Sequence, residues 1–362
     1  MGKDQPASIL IIKLSAIGDV VHALPALEVL RKNFPTCRID WLVEEEAFPI
    51  IQGHKDIDEI LVSRRKRWTS SLLRLKDIQR IRREAQALVR ILRSREYELV
   101  IDFQGLLKSG VFACLAKGRR KVGMAGAREG ARFFLSEPPY PVSYDQHAID
   151  RYLEFCCHLG CSKTQWSGRI PYEDSHVRRV RELLQIHGIN GQPIIAINPV
   201  ARWETKLWPL NRFAALADRV QQEWGLRVVF TGSGADTGYI EAIRERMKTD
   251  SINLAGQTSL KDLACLYDIS RLLVTTDTGP MHIAAAMGCP VVALFGPTDP
   301  RRTGPYGNPH RVIRLDLECS PCFKRKCYNT KCMDNIQVAQ AFEALREILV
   351  KDTRGNRLTG IQ

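Results

Sequence analysis

The stretch 275–300, TTDTGPMHIAAAMGCPVVALFGPTDP, constrains the fold of this chain more than any other. Residues 272–276 form an apolar, β-favouring run and predict a buried strand. Pro280 falls in a first helical turn, where its missing N–H would have no partner anyway. Gly288 and Pro290 end that helix, and 291–295 predicts a second buried strand. A strand–helix–strand unit of this kind belongs in a parallel sheet, where the helix N-terminus lies at the ligand-binding edge. Asp277, Thr278, Gly279 and His282 gather there. Free N–H groups and the positive end of the helix dipole suit a phosphate, and Gly279 would let a ligand approach the backbone. A capped strand-to-helix turn accounts for the same residues, and this stretch alone does not choose between them.

The beginning of the chain repeats the pattern. Residues 9–12 predict a strand, KLSAIGD (13–19) a turn, and 20–33 a helix with Val21, Leu24, Leu27 and Leu30 on one face. The turn is not a GxGxxG fingerprint, so a dinucleotide site of that kind is not expected. Further strands are expected at 38–43, 57–62, 99–102 and 121–124, and helices at 71–95 and 147–159. The punctuated stretch 160–192, with a helix at 175–187, marks a boundary. Beyond it, strands at 194–198, 228–231, 252–254, 272–276, 291–295 and 312–315 alternate with helices at 210–223, 236–247 and 260–267. That rhythm predicts a doubly wound parallel sheet. The 362 residues suffice for two domains, 1–175 and 176–336. A last helix (337–351) is expected to dock back on the first half, ahead of a flexible tail, 352–362. Two α/β domains facing each other would open both turns, 13–19 and 275–282, into one cleft.

Charge and cysteine content narrow the class. No apolar run is long enough to cross a bilayer and no signal-peptide pattern opens the chain, so a cytoplasmic protein is expected. The net charge is +13, and between residues 64 and 95 twelve Lys/Arg stand against two acids, Asp77 and Glu84. Nucleic acid, anionic lipid or a phosphorylated glycolipid could use such a segment. RRKR (64–67) running into Trp68 and a leucine pair favours interfacial contact. A nucleic-acid-binding module would want stacking aromatics or a helix-turn-helix, and neither is found. Of eleven cysteines, Cys319, Cys322, Cys327 and Cys332 form a C-x2-C-x4-C-x4-C cluster. That spacing fits one tetrahedral zinc or a reduced structural loop, and Lys324, Arg325, Lys326 and Lys331 would favour thiolates.

KLSAIGDVVHALPAL (13–27), RIDWLVEE (38–45), VIDFQGLLKSG (100–110), KLWP (206–209), DTGPMH (277–282) and LFGPTDP (294–300), in that order, resemble the heptosyltransferases of glycosyltransferase family 9. The resemblance implies an α/β fold of the GT-B class, with two Rossmann-like domains across a cleft, the first for the acceptor and the second for the nucleotide sugar. It implies transfer of L-glycero-D-manno-heptose from ADP-heptose to the Kdo of the lipopolysaccharide inner core, inverting the anomeric centre, with no cofactor and no bound metal. Asp19 matches the catalytic base. Asp277, Thr278, Gly279 and His282 match the donor-binding pattern, Lys206 matches a lysine on the donor, and Asp236 stands near an acid contacting the nucleoside. Arg64, Arg65 and Arg67 match a basic loop beside the anionic glycolipid Kdo-lipid A, with Lys13, Lys108 and Arg128 lining the same cleft. The implied partners are a nucleotide-sugar donor, that glycolipid and the cytosolic face of the inner membrane, with no nucleic acid, for a monomer. Two features depart from the pattern. Ala201 and Arg202 stand where some members carry a threonine pair, so Arg202 would replace hydroxyl contacts with a charge. The cysteine cluster is shared with only some members. Both keep open another family 9 sugar or acceptor.

Overall fold

The computed structural model describes residues 5–71, 78–162, 164–307 and 309–351. The chain divides into two compact units, Met1–Pro171 and Tyr172–Gln362, at the near end of the boundary stretch.

The first unit runs β1 (Ser8–Ile12), α1 (Ile17–Asn33), β2 (Arg38–Glu44), α2 (Phe48–Ile51), β3 (Glu59–Ser63), α3 (Arg65–Ser71), α4 (Ile78–Ser94), β4 (Glu96–Asp102), α5 (Leu107–Leu115), β5 (Lys117–Gly123) and α6 (Ala148–His158). Its five strands are parallel in the order β3-β2-β1-β4-β5. β1 is central, so Ile9–Ile12 are fully buried and read as one continuous apolar run. Helix α1 starts earlier than its periodicity predicts, at Ile17, which brings Asp19 into its first turn. It packs against α6 and is buried over most of its length, so its apolar residues are not confined to one face. The helix expected over 71–95 is observed as α4, while the unexpected α3 precedes it and ends at Ser71; the 72–77 part of that expectation lies outside the described residues.

The second unit runs α7 (Asp174–Ile186), β6 (Ile194–Asn198), α8 (Leu210–Trp224), β7 (Arg227–Phe230), α9 (Thr237–Arg244), β8 (Ile252–Asn253), α10 (Leu260–Ile269), β9 (Leu272–Thr276), α11 (Gly279–Ala286), β10 (Val291–Phe295), α12 (Pro300–Thr303), β11 (Arg311–Arg314), α13 (Lys331–Asp334) and α14 (Val338–Lys351). Six parallel strands in the order β11-β10-β9-β6-β7-β8 make the doubly wound sheet. Strand order reverses between β6 and β9 here, and between β1 and β4 in the first unit. Those are the crevices where open α/β sheets hold ligands.

The apolar residues Phe342, Leu345 and Ile348 of helix α14 belong to the core of the second unit, against α8 and the β10–β11 edge. Trp208 of the KLWP motif fixes its approach: the indole is buried and donates to Ile336 O at 3.0 Å. An amphipathic stripe specifies that a helix will be covered, not by what. The tail expected over 352–362 lies outside the described residues.

Candidate active site

In the second unit the chemistry gathers where β6 and β9 end. Asp277 follows β9 directly and Thr278 is the extended N-cap of α11, with Gly279 and Pro280 in the first turn. Because Pro280 has no N–H, the helix tip offers that of Gly279. Asp277 is buried, and a buried carboxylate needs a partner. Its Oδ2 is 2.5 Å from Lys206 Nζ and accepts from Thr298 Oγ1 at 2.7 Å, while Lys206 also donates to the Asp277 carbonyl at 3.3 Å. Lys206 ends a short 3-10 turn, Glu204–Lys206, anchored by Thr205, whose hydroxyl donates to Lys324 O at 2.9 Å. The ammonium also lies 4.4 Å from the Trp203 ring centroid. His282 is buried one turn into α11, and Arg202 is exposed.

Asp236 lies behind β7, where its Oδ2 accepts from Ser233 N at 2.7 Å and Ser233 Oγ at 2.6 Å, closing the loop that follows the strand. Two glycines let the loops after β7 and β8 meet. Gly256 has φ +74°, and a Cβ there would stand 2.8 Å from the Gly234 Cα. Any side chain at 256 would separate these loops.

In the first unit, Asp19 is partly exposed in the first turn of α1. Its Oδ2 accepts from Ala16 N at 3.0 Å; Oδ1 has no hydrogen-bond partner among the described residues. The loop behind it is tied to the one after β4, because Gln104 Oε1 accepts from Leu14 N and Ser15 N at 3.2 and 3.0 Å. Asp102 in turn accepts from Gln104 N and Gly105 N at 2.8 and 3.0 Å. Lys13 is buried and donates to Phe103 O at 3.2 Å. Burial alone would lower its pKa; Tyr152, Asp19 and Asp102 outweigh it and raise the value above that of an ordinary lysine. The result is a fixed positive charge beside Asp19.

The basic segment is more neutralised than its sequence suggests. Glu44 is buried at the end of β2, and its Oε1 is 2.9 Å from Arg65 Nη2 and 3.3 Å from Lys108 Nζ, while its Oε2 is 3.5 Å from Lys66 Nζ. Lys108 also donates to Ser15 Oγ at 2.5 Å. Burial works to raise the Glu44 pKa, but the Arg65 hydrogen bonds and the Lys108 charge hold it below the usual carboxylate range. Arg64 and Arg67 lie against Glu45 and Glu84. Trp68 donates to Glu84 at 2.8 Å and packs on the core, rather than presenting its ring to an interface. Within the basic segment, Arg82, Arg83, Arg90 and Arg93 on α4 are exposed with no ion pair among the described residues, and Arg128, outside it, is exposed too.

Glu44, Gln104, Trp203 and Thr298 are the residues the sequence reading misses. One signal was present for Glu44. EEE (44–46) and RRKR (64–67) end the neighbouring parallel strands β2 and β3, paired Glu44 to Ser63.

In the cysteine loop the four cysteines are free thiols, and among the described residues no three His, Cys, Asp or Glu side chains are grouped to hold a metal ion. Cys327 Sγ is turned to the Asn329 carbonyl at 3.1 Å. Burial, then the neighbouring Cys322, Cys319 and Cys327, push the Cys332 thiol up, opposite to the easy ionisation that the flanking cations suggest.

The profile of Glycosyltransferase family 9 (heptosyltransferase) matches residues 85–333. Lipopolysaccharide heptosyltransferase 1 of Pseudomonas aeruginosa is 32% identical over 325 residues, covering 88% of this chain and 87% of that protein. A family 9 glycosyl transferase from Veillonella parvula superposes with a TM-score of 0.83 at 27% identity, over 97% of this chain and 99% of that one. The Escherichia coli heptosyltransferase WaaC, solved with ADP-2-deoxy-2-fluoro heptose, gives 0.73 at 26%, over 94% and 99%. The fold class is GT-B, as the sequence resemblance implies.

Proposed function

This chain belongs to glycosyltransferase family 9, and from that premise we propose that it is an inverting heptosyltransferase. On this reading it acts on the lipopolysaccharide core as a heptosyltransferase I, moving L-glycero-D-manno-heptose from ADP-heptose to the Kdo of Kdo-lipid A. The observation that supports the reading is the Lys206–Asp277–Thr298 cluster beside the N-terminus of α11, at a sheet switch point where a helix tip suits an anion.

The proposed chemistry is a single displacement. Asp19 takes the proton of the acceptor hydroxyl as that oxygen bonds to the heptose C1, and the bond from C1 to the diphosphate oxygen breaks with inversion. ADP leaves carrying the electron pair. Lys206, the Gly279 N–H and the α11 dipole are aimed at the charge that grows on it. Asp277 positions Lys206, Asp236 orders the loop proposed to meet the nucleoside, and Arg202 is a further donor contact. Thr278 and His282 complete the donor set by position. On the acceptor side, Arg64, Arg67 and Arg128 are the exposed candidates for the glycolipid's carboxylates and phosphates, while Arg65 and Lys108 are held by Glu44. No helix among the described residues is long and apolar enough to cross a membrane. Peripheral attachment to the cytosolic face of the inner membrane is proposed to run through the exposed arginines of α4.

Purified protein with ADP-heptose and Kdo-lipid A should yield heptosylated product with the anomeric centre inverted, and ADP should raise its melting temperature where nucleic acid does not. Retention of configuration, or transfer from a different nucleotide sugar only, would refute the reading. Ala201 and Arg202 favour including other nucleotide sugars in that screen.

A further inference from the structure

Two cations lie against one indole beside the donor site. Lys206 Nζ is 4.4 Å from the Trp203 ring centroid and the Arg325 guanidinium carbon is 5.1 Å from it. Lys206 is neutralised by Asp277, whereas Arg325 is exposed and has no carboxylate partner among the described residues. Two positive groups sharing a ring attract the ring and repel each other. One positive charge is therefore uncompensated within reach of the Lys206–Asp277 pair.

The loop that carries Arg325 is fastened to this site from several sides. Thr205, next to Lys206, donates to Lys324 O at 2.9 Å. Cys322 N and Phe323 N donate to Pro297 O at 3.0 and 2.8 Å, and Ser320 Oγ donates to Gly296 O at 2.6 Å. Pro297 precedes Thr298, whose hydroxyl holds Asp277. Both side chains that grip Asp277 thus stand on segments tied to the cysteine loop. Phe323 has φ 55°, a left-handed conformation that non-glycine residues rarely adopt. The turn it makes carries residues 324 and 325 onto 203–205.

The geometry points to Arg325 as a second diphosphate-binding cation of the donor site, with Trp203 as the positioning residue that sets its spacing from Lys206. This rests on the nucleotide-sugar reading above and assigns the cysteine loop a place in that site. A guanidinium and an ammonium separated by an indole can each take one phosphate of a diphosphate, the guanidinium in bidentate fashion. A monophosphate would engage only one of them.

Calorimetric titration of the full chain with ADP and with AMP tests the assignment. Arg325→Gln is expected to weaken ADP by about tenfold and AMP by less than about twofold, the scale of one charge-assisted contact. Arg325→Lys, which keeps the charge but not the planar fork, should recover only part of the loss. Trp203→Leu should reproduce the Arg325→Gln defect, and the double variant should add little to either, as for residues acting as a unit. ADP affinity unchanged in Arg325→Gln, or equal losses for ADP and AMP, overturns the inference while the glycosyl-transfer reading stands. Failure of the unaltered chain to bind any nucleoside diphosphate overturns both.

Discussion

Lys206 Nζ and Asp277 Oδ2 lie 2.5 Å apart, joining the loops that leave β6 and β9 where the strand order turns back on itself. Both side chains are largely shielded from water, so neither tolerates loss of the other. Lys206→Met should cost about 3 kcal/mol of stability, within the range for breaking a buried pair. Adding Asp277→Leu should recover part of that cost, and urea melts of the two singles and the double measure the coupling. Strict additivity would mean that the pair is not coupled.

Asp19→Asn preserves an acceptor for the Ala16 N–H and removes the proton-accepting carboxylate. Stability should change by about 1 kcal/mol or less, the worth of a charge at a helix N-terminus. Turnover should fall by about 10²–10⁴-fold, with ADP affinity unchanged. Near-normal turnover would exclude Asp19 as the base.

Glu44 sets the acid limb of stability. Its folded-state pKa lies below the ordinary 4.5, so the unfolded chain binds the proton more readily. Its contribution is therefore complete above the unfolded value and is lost as pH falls through the folded one. Glu44→Gln should be less stable at neutral pH and show a flatter decline in acid, read from melts between pH 3 and 7. An unchanged acid limb would contradict this.

Lys261 acts with the same sign in a more alkaline window, although here it is the neutral form that the fold favours. Burial, partly offset by Glu173, pushes it down to about 8 from 10.5. Between those values the unfolded chain holds more protons, so stability should rise with pH across that window. Lys261→Met should abolish the rise, as melts at pH 7, 8.5 and 10 would register. A rise that persists in the variant would assign it to another group.

Binding to anionic vesicles should depend on α4 more than on the segment 64–67, whose charges are already met by Glu44, Glu45, Glu46 and Glu84. At about 1 kcal/mol per basic side chain at such a surface, replacing Arg82, Arg83, Arg90 and Arg93 by Ser should reduce binding more than tenfold. Replacing Arg64, Arg65 and Arg67 by Ala should do less. Co-sedimentation at low and high salt separates the cases, and salt-insensitive binding would rule out the electrostatic mode.

The fully buried strands were the most legible elements, because a strand covered on both faces is a continuous apolar, β-branched run; 194–198, 272–276 and 291–295 are expected and observed to the residue. Loop residues at the two switch points were legible as motifs. Their partnerships were not, because the groups concerned are far apart in the chain: Arg65 is 21 residues from Glu44 and Lys206 is 71 from Asp277. Periodicity could not show that α1 is enclosed or that α14 covers its own sheet, since both depend on what lies opposite. Cysteine spacing could not show that the loop's Cys322 and Phe323 N–H groups reach Pro297 O or that its Lys324 carbonyl is held by Thr205, since those partners lie far off in the chain.

The contact between Gly234 and Gly256 limits how this fold can be re-engineered. A side chain at 256 would run into the opposing main chain, whereas a Cβ at 234 would meet only the Gly256 Cα, at 3.9 Å, so the two sides of the contact are not equally closed to change. Libraries that leave 256 as glycine and vary 234 and its neighbours would therefore keep the two loops in register while changing what they present.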